Sequence, residues 1–225
     1  MEEQNITEVK YVREPKKRSK GKIFLRIFLI VLLLIGGLGY WGYRKMVSFA
    51  NAEDLGVTYT AEDYEALIGK IGMEVEPEKL CLDCEPLNFS NPHEVDLNIT
   101  DAQASAAFDI ANESLSFAKI SGSQIKFSDE KGELSTMVTY NGKSYPVYIS
   151  GNIGKVSERA ISGEIYDLKV GGFEIPSSVK NMAQEALVNL ANERIATMED
   201  TFRIDNVNLT NEGLNFEGLV PTQTQ

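Results

Sequence analysis

The chain has 225 residues, with 22 Lys/Arg against 33 Asp/Glu, one histidine and two cysteines. Charge divides sharply along it: residues 1–45 hold ten basic and four acidic side chains, whereas the remaining 180 hold 12 and 29, close to −17. A surface of that sign repels phosphate backbones and anionic headgroups, which excludes nucleic acid as a partner of the C-terminal part and disfavours simple electrostatic adhesion to lipid.

Residues 1–22 are polar, acidic first and then Lys/Arg-rich, and read as a disordered basic cytoplasmic tail. The stretch Ile27 to Tyr43 follows without a charge. Its seventeen residues cover roughly 25 Å at about 1.5 Å each, short of a ~30 Å hydrocarbon core, so the predicted transmembrane helix takes in residues 23–45. Arg26 then lies inside the span, close enough to its N-terminal end to snorkel. Tyr40, Trp41 and Tyr43 form an aromatic belt at the other interface. Seven Lys/Arg lie in residues 1–22, ahead of the span, and only Arg44 and Lys45 stand close to the other end of the apolar run, which puts the N-terminus inside and the bulk of the chain outside the cytoplasm. Ala50-Asn51-Ala52 has the form of a signal-peptidase site but lies too far downstream, so an uncleaved single-pass anchor in the cell membrane is expected.

Residues 46–93 read as a juxtamembrane helix and a Pro-rich linker. Thr60 followed by Asp63 is a helix start, and Tyr64, Leu67, Ile68 and Ile71 make one apolar stripe that ends near Gly69 to Gly72. The stripe needs cover, either from the domain that follows or from a partner near the membrane. The linker contains Cys81-Leu-Asp-Cys84. Outside the cytoplasm this pair can close a local disulfide, although free thiols and a redox or metal role are the alternatives. A zinc site would need a second pair that the chain lacks, and no metal or cofactor is expected.

The main domain is predicted over 94–220. Val95 to Ile99 alternate as a strand, and Thr100 with Gln103 forms a capping box for a helix. From Leu115 the period becomes two: Ile125 and Phe127, a turn at Asp129 to Gly132, then Leu134 to Tyr140, Asn141-Gly142, and Tyr145, Val147 and Ile149. Asn-Gly between alternating runs is a hairpin signal. Ile161, Ile165, Leu168 and Val170 supply a fourth strand, with a bulge near Tyr166 where the parity of the apolar residues changes. Val179, Met182, Ala183, Ala186, Leu187, Leu190, Ile195 and Met198 keep helical spacing after Ser177-Ser178, which predicts a long amphipathic helix with Leu187 and Leu190 among the most buried residues and Asn192 on the opposite face. A last hairpin turns at Asn211 to Gly213, and residues 221–225 are a tail. The expected fold class is α+β: an N-terminal transmembrane helix, then an antiparallel β-meander packed on a long amphipathic helix.

No Gly-rich phosphate loop, nucleophile elbow or readable carboxylate pair is present, so no enzyme is expected. Asn88, Asn98, Asn112 and Asn208 open glycosylation triplets, which matter only in a host that glycosylates. The order of elements, closed by the hairpin Phe202 to Gly218, resembles the small envelope-anchored relatives of the tubular lipid-binding (TULIP) proteins over residues 94–220. That resemblance implies a curved sheet around a helix with a hydrophobic groove for an acyl chain or similar ligand. The face expected to hold it comprises Val179, Met182, Leu187 and Leu190 on the helix and Tyr145 and Val147 on the meander. The alternative is an envelope adaptor that binds another membrane or surface protein through its acidic ectodomain and the stripe of Tyr64, Leu67, Ile68 and Ile71.

Overall fold

The computed structural model describes residues 51–72, 89–112 and 118–224. The tail 1–22, the predicted span 23–45 and the cysteines Cys81 and Cys84 lie outside the described residues. Among the described residues no helix is long and apolar enough to cross a membrane. They form an α+β fold of three helices and two antiparallel sheets.

Helix α1 (Ala61–Ile71) begins where the sequence signals it: the Asp63 carboxylate accepts the Thr60 N–H at 2.8 Å and the Thr60 hydroxyl at 3.2 Å. It ends where Gly72 takes a left-handed conformation (φ 69°) and donates its N–H to the Ile68 carbonyl, a role that suits a residue without a Cβ. Tyr64 and Leu67 are buried and Ile68 and Ile71 half-buried, because α1 packs on the next helix and on β1 (Phe89–Ile99). The chain therefore covers its own stripe.

Strand β1 hands over to α2 (Asp101–Asn112) through the Thr100–Gln103 box, with Thr100 N–H on the Gln103 side-chain oxygen at 3.2 Å and Gln103 N–H on the Thr100 hydroxyl at 3.3 Å. Four long strands follow as a meander: β2 (Lys119–Ser128), β3 (Lys131–Tyr140), β4 (Lys143–Ser157) and β5 (Ala160–Val170), with the two-residue β6 (Phe173–Glu174) added at the edge. Asn141 and Gly142, at φ 47° and 73°, form the tight turn between β3 and β4 that both need positive φ to make. Register between β4 and β5 slips where Ser150 faces Asp167 and Gly151 faces Ile165, which leaves Tyr166 as the extra residue of the predicted bulge.

After α3 (Ser177–Thr197) and a single 3₁₀ turn, β7 (Arg203–Thr210) and β8 (Gly213–Thr224) form a hairpin, and β1 pairs with β8 to complete a three-stranded sheet in the order β1-β8-β7. Both domain limits move outward from their predicted places. Strand β1 starts at Phe89 rather than 94, and β8 runs through the supposed tail to pair Thr224 with Phe89. Pro86, Asn88, Asn91 and Pro92 give this stretch the composition of a linker, yet Asn91 takes its left-handed conformation (φ 51°) inside the strand. A proline is tolerated because β1 is an edge strand, where an N–H pointing away from the sheet has no partner to lose.

The two helices that flank the meander run along its edges. On the β2 side, Asp101, Ser105 and Asp109, four residues apart on α2, accept the N–H groups of Phe127 (2.9 Å), Ile125 (2.7 Å) and Ser123 (3.1 Å). Four helix residues advance about 6 Å and two strand residues about 6.7 Å, so an antiparallel helix keeps step with alternate edge amides. The β5 side uses the same device. Gln184 accepts the Ile165 N–H at 2.9 Å, and Asn192 accepts the Ile161 N–H at 2.9 Å while donating to the Ile161 carbonyl at 3.0 Å. Between them a Val188 methyl lies 3.5 Å from where a Cβ on Gly163 would stand. These contacts satisfy backbone groups that an open sheet edge would offer to another chain. Asn192 accordingly faces the strand, not the opposite side of the helix as its spacing from Leu187 and Leu190 predicts.

Candidate ligand-binding face

Each face of the meander has its own character, fixed by the period of two. On one side the cross-strand partners Val138 and Tyr145, Leu134 and Ile149, Val147 and Val170, and Ile149 and Leu168 line up as an apolar surface. Its centre is a cluster of Val147, Ile165, Leu168, Val170 and Ile175 closed by Ala183 of α3, which is fully buried. Around this centre Val138, Tyr145, Ile149, Val179 and Leu187 pack against the cluster yet stay half-exposed. The other end of the same face is covered by β7, whose Leu209 methyl lies 3.7 Å from the position a Cβ on Gly132 would occupy.

The predicted ligand residues are thus only partly brought together. Val179, Leu187, Tyr145 and Val147 meet in this cluster. Met182 does not join it and is 45% exposed, and Leu190 is half-buried further along the helix. Leu187 and Leu190 are not among the most buried residues; Ala183, Ala186 and Ile195 hold those positions on α3. The reason is the edge packing described above, which rotates the helix so that Gln184, Val188 and Asn192 face the strand and small alanines make the close approach.

The opposite face is polar and is crossed by the chain that enters the domain. The Glu53 carboxylate lies 3.6 Å from Lys169 on β5, Leu55 and Val57 both donate their N–H groups to the Gln124 side-chain oxygen on β2, and Lys126 reaches the Leu55 carbonyl. Residues 53–57 therefore pass over the strands from β5 to β2 as a strap. Ser135, Tyr148 and Ser150 are buried on the face it crosses. Tyr148 donates to Glu133, Lys169 stands 4.5 Å from the centre of the Tyr148 ring, and Ser150 bonds Asp167. Burial and then the Glu133 carboxylate push the Tyr148 phenol above its ordinary value. Burial alone would raise Glu133, but the Tyr148 hydroxyl and Lys131 outweigh it and hold the carboxyl below the usual range.

A second polar knot fastens the end of the strap. Tyr59 donates to Asp109 at 2.7 Å; the same carboxylate accepts the Ser123 N–H and, at 2.7 Å, the Ser123 hydroxyl, and Ser123 meets Thr136 at 2.8 Å. Burial, then Asp109, raise the Tyr59 phenol. The chain's one histidine, His93, lies instead against Gly72, so this serine and carboxylate have no imidazole beside them. The knot sits in a β2 bulge between Ser121 and Gln124, and its geometry is that of a fastening.

Among the described residues no group of three or more His, Cys, Asp or Glu side chains is placed to hold a metal ion. Two of the glycosylation triplets begin at asparagines that are already engaged: the Asn98 amide donates to Asn215 at 2.7 Å, and Asn112 is buried and donates to the Phe108 carbonyl at 2.7 Å. Sequence reasoning passed over the strap and the edge-capping acceptors. A period of four in Asp101, Ser105 and Asp109 was the available signal, and it reads equally well as a solvated helix face. No protein family, curated protein or solved structure matches the chain.

Proposed function

We propose that this is a membrane-anchored extracytoplasmic protein that binds a lipid or another ligand with an extended apolar part between the meander and α3. One observation carries this reading: Val138, Tyr145, Ile149, Val179 and Leu187 surround a buried apolar centre but are themselves incompletely covered. Half-covered aliphatic and aromatic side chains on the inner side of a sheet and helix are what an acyl chain would complete, at roughly 0.8 kcal/mol per buried CH₂. Catalysis plays no part in the proposal, which rests on apolar contact alone.

Support for the anchor comes from the uncharged run Ile27 to Tyr43 and the excess of Lys/Arg before it. The adaptor alternative drew on the acidic ectodomain and the stripe of Tyr64, Leu67, Ile68 and Ile71; contacts within the chain cover the stripe, which leaves that alternative the acidic surface alone. A fluorescent fatty acid titrated into residues 46–225 tests the proposal. Saturable binding, competed by unlabelled phospholipid and lost in Leu187→Asp, is expected; no saturable binding would end the lipid reading.

A further inference from the structure

We infer that the corner of the domain formed by β5 and β6 docks on the outer surface of the lipid bilayer through Phe173, so that the open end of the apolar face meets the membrane. This rests on the anchor and the lipid-binding reading proposed above. Phe173 is 57% exposed, yet it pairs with Val170, whose side chain is part of the buried cluster on the apolar face. Cross-strand partners share a face, so Phe173 continues that apolar surface outward to the edge.

The path of the chain selects this corner over any other. Glu174, next to Phe173, pairs with Lys169, and Lys169 is the residue on which Glu53 first fastens the incoming strap. Between Lys45, at the end of the predicted span, and Glu53 there are only seven residues. Eight Cα–Cα steps reach at most about 29 Å, and less unless the chain is fully extended. The β5–β6 corner is thereby held within one tether length of the headgroups. Of the other exposed large hydrophobic side chains on the meander, Tyr166 is the bulge residue inside β5, at 39% exposure, and Val156, at 65%, lies at the far end of β4. Lys169 pairs with Tyr148, and from Tyr148 to Val156 is eight residues, or about 26 Å of strand, which puts Val156 at the end of β4 away from the fastening of the strap.

A lone phenylalanine is a weak membrane ligand, and the acidic surface of the domain adds no general attraction. The tether changes the requirement. Docking is intramolecular once the anchor is inserted, at an effective concentration in the millimolar range for a short linker, so a contact too weak to recruit the free domain suffices to orient the tethered one. An aromatic ring is also the side chain best suited to the interfacial layer. In this orientation a lipid tail passes between bilayer and apolar face without crossing water.

The test uses the full chain inserted in vesicles of phosphatidylcholine and phosphatidylglycerol, with Trp41→Phe removing the one native tryptophan. Phe173→Trp and, separately, Val156→Trp then report depth by quenching from acyl-brominated lipid. Quenching of the residue-173 probe by about twofold or more, with none at 156, is expected for a ring within the acyl boundary. Flotation and resistance to alkaline carbonate are read on the same vesicles. Protein that is membrane-integral but unquenched at 173, or quenched at 156 instead, overturns the docking alone. Protein that carbonate extracts overturns the anchor and the docking with it.

Discussion

Replacing Asn192 with Ala tests the edge-capping role of α3 most sharply, because helical spacing alone puts this residue on the solvent side. In the structure it makes two hydrogen bonds to Ile161, one to the N–H and one from its amide to the carbonyl. Each is worth about 0.5–1.5 kcal/mol net, and truncation strands the Ile161 amide on a half-buried edge. Alanine returns up to about 0.7 kcal/mol of helix propensity. The net loss is therefore about 1–2 kcal/mol, or roughly 2–8 °C in Tm for a domain of this size. Urea unfolding of residues 46–225 followed by circular dichroism measures it, with Asn189→Ala as the control. Asn189 is exposed on the same helix, and its loss is expected to stay within about 0.5 kcal/mol. Equal midpoints for the two variants would refute the edge-capping account.

Removing Gln184 and Asn192 together frees the β5 edge amides and should produce concentration-dependent association, read by light scattering. Ser105→Ala removes a fully buried hydroxyl that accepts the half-buried Ile125 N–H and should cost about 1–3 kcal/mol in the same urea assay. Asp109→Ala unfastens Tyr59 and Ser123 and should expose the strap to protease N-terminal to Thr60 before the domain itself is cut. Glu133 is held below the usual carboxylate range in the folded state, so the stability it adds is present above its unfolded pKa and is lost as pH falls through the lower folded value. Glu133→Gln should therefore lose that contribution at pH 8, where it is fully present, and flatten the acid side of the stability profile, the two proteins converging as pH falls below about 4.5.

The elements set by local chemistry were legible in the sequence. Thr60 and Thr100 cap helices, Asn141-Gly142 turns a hairpin, and the parity change at Tyr166 marks a bulge. What escaped depends on which side of an element is packed. Helical periodicity locates an apolar stripe by assuming that the helix lies on the face of a sheet. Here α2 and α3 lie along edges, where Asp101, Ser105, Asp109, Gln184 and Asn192 are inward-facing and satisfied by backbone amides. That is why Leu187 and Leu190 are only half-buried and why Met182 left the predicted ligand face. The strap was illegible for a different reason: Leu55 and Val57 use backbone N–H groups, which leave no mark in composition.

Native mass spectrometry of residues 46–225, released by protease at a site introduced after Lys45 from the full chain in the membrane fraction of expressing cells and kept free of detergent, tests the lipid reading most directly. The account predicts a population heavier than the chain by the mass of one acyl-chain lipid, with the adduct depleted in Leu187→Asp while Asn189→Ala retains it. A single species at the mass of the bare chain, in both the unaltered protein and the variants, would contradict it.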